Sequence, residues 1–195
     1  MKQHAFYELF VDQLRELYDI ENQIITNLPK VMQKVEHEEL KEALASHLDE
    51  TKNQLQRLKK IFKEINENPT GVTSRALEGI VEDTEAWIKK KQSPAVQDAG
   101  IIVHCQKIEH YEISCYGSAR ALARHLHDAA ESQDRVDFDE IADILQQSLD
   151  EESSADEKLT DLAEGGFFTQ GINEEATQEE VVSASTRKRS AKSRR

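Results

Sequence analysis

The sequence predicts an all-α protein, a bundle of four long helices with a short additional helix in the crossover between helices 2 and 3. Three observations carry this. Only three prolines and seven glycines interrupt 195 residues. The chain is crowded with Glu, Lys, Leu, Ala and Gln, which favour helix over strand. Apolar residues also recur at spacings of three and four through long stretches, as helices facing a core require.

The first apolar series is Phe10, Leu14, Leu17, Ile24 and Leu28, and Pro29 is expected to end or kink that helix. The second runs Leu44, Leu48, Leu55, Leu58 and Phe62 and stops near "NENPTG", whose Asn, Pro and Gly form turns. A short link between two long helices makes them antiparallel neighbours. Leu77, Ile80, Val81, Thr84, Trp87 and Ile88 stripe a shorter helix, read as a connector that packs on the bundle. The third long helix is expected to begin near Val96 and to turn Ile102, Cys105, Tyr116, Ala119 and Leu122 inward. The fourth carries Phe138, Ala142, Leu145, Leu149, Leu159 and Ala163, and "EGG" at 164–166 supplies its stop.

Short link, long crossover, short link is the ferritin-like way of building a four-helix bundle, although a cytokine-like bundle or a coiled coil shares much of this pattern. The bundle is read as residues 1–166, because one core commonly organises about 100 to 200 residues. Residues 167–195, "FFTQGINEEATQEEVVSASTRKRSAKSRR", are polar and end in basic residues with no acid after Thr186. They are expected to form a mostly disordered tail.

The formal net charge of −13 argues against a general nucleic-acid binder, since phosphate contacts depend on clustered Lys and Arg. It favours cations. No stretch approaches the length needed to span a bilayer, and the start "MKQHAFYELF" has no long apolar run, so a cytoplasmic location is expected. Cys105 and Cys115 stand more than two helical turns apart on one helix, too far for a bridge, and are read as reduced thiols.

Continuing each inward series through its gaps places acids on the core stripe. Glu21 falls between Leu17 and Ile24, Glu109 and Glu112 fall between Cys105 and Tyr116, and Glu152 and Asp156 fall between Leu149 and Leu159. On the second helix the series passes through Thr51, with Glu50 and Gln54 on the edge of the same face. His47, one turn before Glu50, is read as a partly exposed histidine. Isolated buried carboxylates cost several kcal/mol or take up protons, so acids facing one another destabilise the bundle unless cations neutralise them. Two divalent metal ions would do so, and oxygen-rich ligands suit iron or manganese better than structural zinc.

The stretches "LRELYDIENQIITNLPK", "LASHLDETKNQLQRL", "ALEGIVEDTEAWI", "QKIEHYEISCYG" and "LDEESSADEKLTDLAE" appear in this order, and through them the chain resembles the YciE/YciF family of bacterial ferritin-like stress proteins. The resemblance implies a ferritin-like bundle, a di-iron type centre, a homodimer and a part in bacterial stress responses. Carried onto this sequence, it implies Glu21 as the first-helix ligand, Glu50 with Gln54 on the second, Glu109 with Glu112 on the third, and Glu152 with Asp156 on the fourth. The Glu-x-x-His pair common in ferritin-like proteins is missing. Asn53 stands three after Glu50 and Ala155 three after Glu152, so the centre is carboxylate-rich. The leading expectation is Fe(II) oxidation or peroxide handling. The alternatives are a non-enzymatic helical stress module acting through partners and, less favoured, DNA association through "TRKRSAKSRR".

Overall fold

A computed structural model describes residues 5–128, 136–166 and 169–192, with residues 183–192 described as helical backbone. Its helices are α1 (Ala5–Met32), α2 (Glu38–Ile65), α3 (Arg75–Ile88), α4 (Pro94–Asp128), α5 (Phe138–Glu164) and α6 (Ile172–Lys192). The four long helices α1, α2, α4 and α5 form the bundle. Neighbours around it run α1, α2, α5, α4 and back to α1, so α2 stands diagonally from α4 and α1 from α5. Every helix can therefore direct one stripe at a shared axis.

The ends of the helices follow local chemistry. Pro29 does not end α1, which continues to Met32, because a missing N–H in the final turn removes only one hydrogen bond. Pro94 opens α4, where its fixed φ suits a first helical position. His37 precedes α2 without a side-chain cap. Asp98 of α4 takes over that role: its buried carboxylate accepts from Glu36 N at 3.2 Å and from His37 N at 2.8 Å. Asn66 closes α2 in the left-handed conformation, with φ 53°. Asp137 caps α5 by accepting from Asp139 N and Glu140 N at 3.1 Å each. Gly165, with φ +73°, ends α5; a Cβ there would sit 2.4 Å from Gly171 N.

The core follows the apolar stripes. Phe10, Leu14, Leu17 and Ile20 of α1 are fully buried, and Phe10 meets Phe138 of α5 edge-on with ring centroids 5.9 Å apart. Helix α3 lies in the crossover against α1 and α4. Ser74, just before it, donates its N–H to Asp19 Oδ2 at 2.8 Å and pairs its hydroxyl with Tyr111 at 2.9 Å. Trp87 seals the other end: a Cβ added to Gly100 would fall 1.9 Å from its indole. These two clamps fix α3 to the bundle.

The expected disordered tail is corrected for residues 172–192, which form α6 against α4 and α5. Ile172 and Ala176 are buried there, and Glu174 and Glu175 lie in the first turn, where the helix dipole favours negative charge. The basic side chains Arg187, Lys188, Arg189, Lys192, Arg194 and Arg195 lie outside the described residues. Among the described residues no helix is long and apolar enough to cross a membrane.

Candidate metal centre

All four bundle helices send a polar residue to one point on the axis. Glu21 comes from α1, His47 and Gln54 from α2, Glu109 and Glu112 from α4, and Glu152 from α5, and all six are buried. His47, Glu109, Glu112 and Glu152 each offer a donor atom, all within 4.8 Å of one another. His47 Nε2 lies 3.6 Å from Glu109 Oε1, and its Nδ1 lies 4.0 Å from Glu152 Oε2. Glu21 stands outside this compact set of donor atoms but within electrostatic reach of Glu152 and Glu112.

Hydrogen bonds hold the acids in place without satisfying them. The Tyr116 hydroxyl donates to Glu21 Oε1, and Gln54 Nε2 donates to Glu152 Oε1. Buried Glu21 Oε2, Glu109 Oε2, Glu152 Oε2, both Glu112 oxygens and His47 Nδ1 have no hydrogen-bond partner among the described residues. Buried polar atoms are nearly always paired, so this many orphans aimed at one point call for a cation. The adjacent Arg57 is otherwise engaged: its guanidinium binds Glu151 at 2.8 and 2.5 Å and Ser148 Oγ at 2.7 Å. Four carboxylates and an imidazole fit a hard or borderline divalent ion.

Burial, followed by the Glu152 charge, raises the carboxyls of Glu21, Glu109 and Glu112 well above the ordinary range. Burial also lifts Glu152 to about 7, a rise opposed by hydrogen bonds from Glu109 and Gln54. Burial and the neighbouring charges thus push both members of the Glu109–Glu152 pair towards the protonated form. Burial lowers His47 to about 4, leaving a neutral imidazole with a lone pair free to bind a metal.

Of the residues predicted from sequence, Glu21, Gln54, Glu109, Glu112 and Glu152 are brought together. Glu50 and Asp156 lie at the margin of the cluster, less buried but still within electrostatic reach of Glu152 and Glu109 respectively. Glu50 is half-buried beside Glu151, outside the cluster. Asp156 sits on the seam between α4 and α5, accepting from Gln106 Nε2 at 3.2 Å and lying 3.7 Å from His110 Nε2. Beyond Leu145 the inward stripe of α5 runs Ser148, Glu152 and Leu159. Gln54 donates its Nε2 to Glu152 and leaves its own buried Oε1 without a partner among the described residues.

His47 is the site residue that the sequence reading set aside. It is only 6% exposed. The signal was its place in the series Leu40, Leu44, His47, Thr51, Gln54, all of them buried. Cys105 and Cys115 are free and buried, and burial raises both thiols, Cys115 to about 12.

A family model described as a domain of unknown function (DUF892) matches residues 5–177. Protein YciF of Escherichia coli K12 is 32% identical over 164 residues, spanning 84% of this chain and 93% of the relative. The crystal structure of the E. coli stress protein YciF superposes with a TM-score of 0.73 at 31% identity, over 80% of this chain and 93% of that one. The Rhodopseudomonas palustris protein YcfI also gives 0.73, at 32% identity over 80% of this chain and 94% of that one. At this identity and coverage, the ferritin-like bundle is the shared fold.

Proposed function

We propose that this chain, which belongs to the DUF892 family and is similar to the stress protein YciF, uses its buried acids to hold two divalent metal ions. Iron is the favoured metal and manganese the second choice. The observation that carries the reading is charge. Glu21, Glu109, Glu112 and Glu152 together hold four negative charges when ionised, His47 is neutral, and no cationic side chain enters the cluster among the described residues. Two divalent ions balance that charge, and they displace the protons that burial otherwise forces onto the carboxyls.

Bound iron would supply the Fe(II)/Fe(III) couple, through which electrons could pass to oxygen or hydrogen peroxide. The chain's own residues prepare the site. The Tyr116 hydroxyl fixes one oxygen of Glu21 and leaves the other free, and Gln54 does the same for Glu152. Apolar neighbours such as Leu17, Ile24 and Leu58 keep bulk water from the cluster and so strengthen its electrostatics.

The test is anaerobic titration of full-length protein with Fe(II) or Mn(II), followed by peroxide. Two ions per chain are expected, with uptake abolished in Glu109→Ala/Glu112→Ala. Uptake that the double substitution leaves unchanged would sink the reading. The shared proton between Glu109 and Glu152 favours a second reading, in which protons alone neutralise a structural cluster. Wild-type protein that takes up no metal would establish that one instead.

A further inference from the structure

We infer that the cavity between α1, α3 and α4 binds a free fatty acid, with its carboxylate at the rim and its aliphatic tail directed at the acidic cluster. The cavity holds about 450 Å³, within the range of small-molecule sites. Its walls are apolar: Ile24 and Leu28 of α1, Val81 and Ile88 of α3, and Ile108 of α4. Its inner end is formed by His47 and Glu109. The cluster is therefore reached through a hydrocarbon-lined space.

The mouth carries charge of the opposite sign to the molecule. In a chain of net charge −13, the exposed Lys30, Lys34 and Lys89 all border this one opening. Glu85, also at the mouth, is paired with Lys89 at 3.0 Å. Lys30 donates to Asn27 at 2.8 Å and its charge also reaches Glu85, but neither it nor Lys34 forms an ion pair among the described residues, so one acid at the mouth faces three lysines. Two ammonium groups are thus left to meet an anion. The reverse orientation would take the carboxylate away from Lys30 and Lys34 and bury it between apolar walls, so head outward and tail inward is the favoured sense. Apolar walls beyond a cationic rim select a single-chain anion over a polar metabolite or a cation.

The contacts at Ser74, to Asp19 of α1 and Tyr111 of α4, and at Trp87, against Gly100 of α4, fix both ends of α3 and keep the wall in position. That the tail ends beside metal ions rests on the function proposed above. Binding of the chain itself does not.

The experiment is calorimetric titration of full-length protein, metal-free and metal-loaded, with dodecanoate, and with dodecyltrimethylammonium as the cationic counterpart. One dodecanoate per chain with micromolar affinity is expected in both forms, with no comparable binding of the cation. Lys30→Glu/Lys34→Glu, at two exposed positions, should weaken dodecanoate by about tenfold or more. Val81→Trp should fill the cavity and abolish binding while leaving metal stoichiometry intact.

Three results would overturn the inference: no dodecanoate binding to the wild type, equal binding of the two head groups, or indifference to both variants. Sedimentation with anionic phosphatidylglycerol vesicles in the absence of free-acid binding would instead assign the rim to a membrane surface. A change of oligomeric state in Val81→Trp, with no dodecanoate binding to the wild type, would assign the cavity to a second copy of the chain. Either outcome also overturns the inference. Failure of the metal reading would show separately, as metal-free protein that binds dodecanoate but takes up no ions.

Discussion

Replacing Glu152 by Gln in the metal-free protein is expected to stabilise it at neutral to alkaline pH, because this position carries the heaviest share of the cluster's mutual repulsion. Its carboxyl stands at about 7 against an ordinary 4.5. At about 1.4 kcal/mol per unit, ionising it inside the fold costs about 3 kcal/mol. The folded chain keeps this proton where the unfolded chain has released it. The stability it contributes is therefore complete below pH 4.5 and is lost as pH rises through 7. His47 works in the opposite sense: lowered from 6.5 to about 4, it contributes above 6.5 and loses that contribution as pH falls towards 4. Above about pH 6.5 the carboxyls alone set the slope. An amide at position 152 carries no proton to lose and still accepts from Gln54. Urea denaturation followed by circular dichroism, at about pH 6, 7 and 8, measures the effect. The variant should lose less stability than the wild type, by about 1 kcal/mol between about pH 6 and 8, out of about 3 kcal/mol lost in all from below pH 4.5. Metal-loaded wild type should be nearly flat. Parallel curves for wild type and Glu152→Gln would show that the acids do not share a buried, repelling site.

Three further outcomes follow from particular contacts. Tyr116→Phe removes the donor to Glu21 and should weaken metal binding by about 10- to 100-fold with little change in helicity, read by competitive chelator titration. Asp98→Ala strips the acceptor from the backbone N–H groups of Glu36 and His37 and should destabilise the protein by about 2 kcal/mol in urea denaturation, whereas Asp98→Asn should restore part of that loss. Gly100→Ala places a methyl where the Trp87 ring now lies; a red shift of the single tryptophan's emission and a loss of about 1–3 kcal/mol are expected.

The helices were legible because each inward stripe is long and uninterrupted, and because Asn66, Asp137 and Gly165 end or begin elements with ordinary cap chemistry. Glu21, Glu109, Glu112 and Glu152 could be read for the same reason: each interrupts an apolar series whose other members are buried. Asp156 was read as inward because it continues the step from Glu152 to Leu159, but its side chain turns to the α4 seam, where Gln106 and His110 meet it. His47 was passed over for a different reason: it continues the series Leu44, His47, Thr51, but its neighbours there, Thr51 and Gln54, are polar, so the apolar stripe that marks an inner face is too thin to count it as buried. Helix α6 escaped notice because Ile172 and Ala176 are its only buried residues among those whose side chains are described, too few to make a stripe.

The cluster draws on α1, α2, α4 and α5, from Glu21 near one end of the chain to Glu152 near the other. No shorter segment contains it. A chain emerging from the ribosome can offer only fragments of this site until α5 has been made and docked, so the complete set of donors exists only in the finished fold. On the function proposed above, an ion would enter last, and its loss would remove a tie between the first part of the chain to be made and the last.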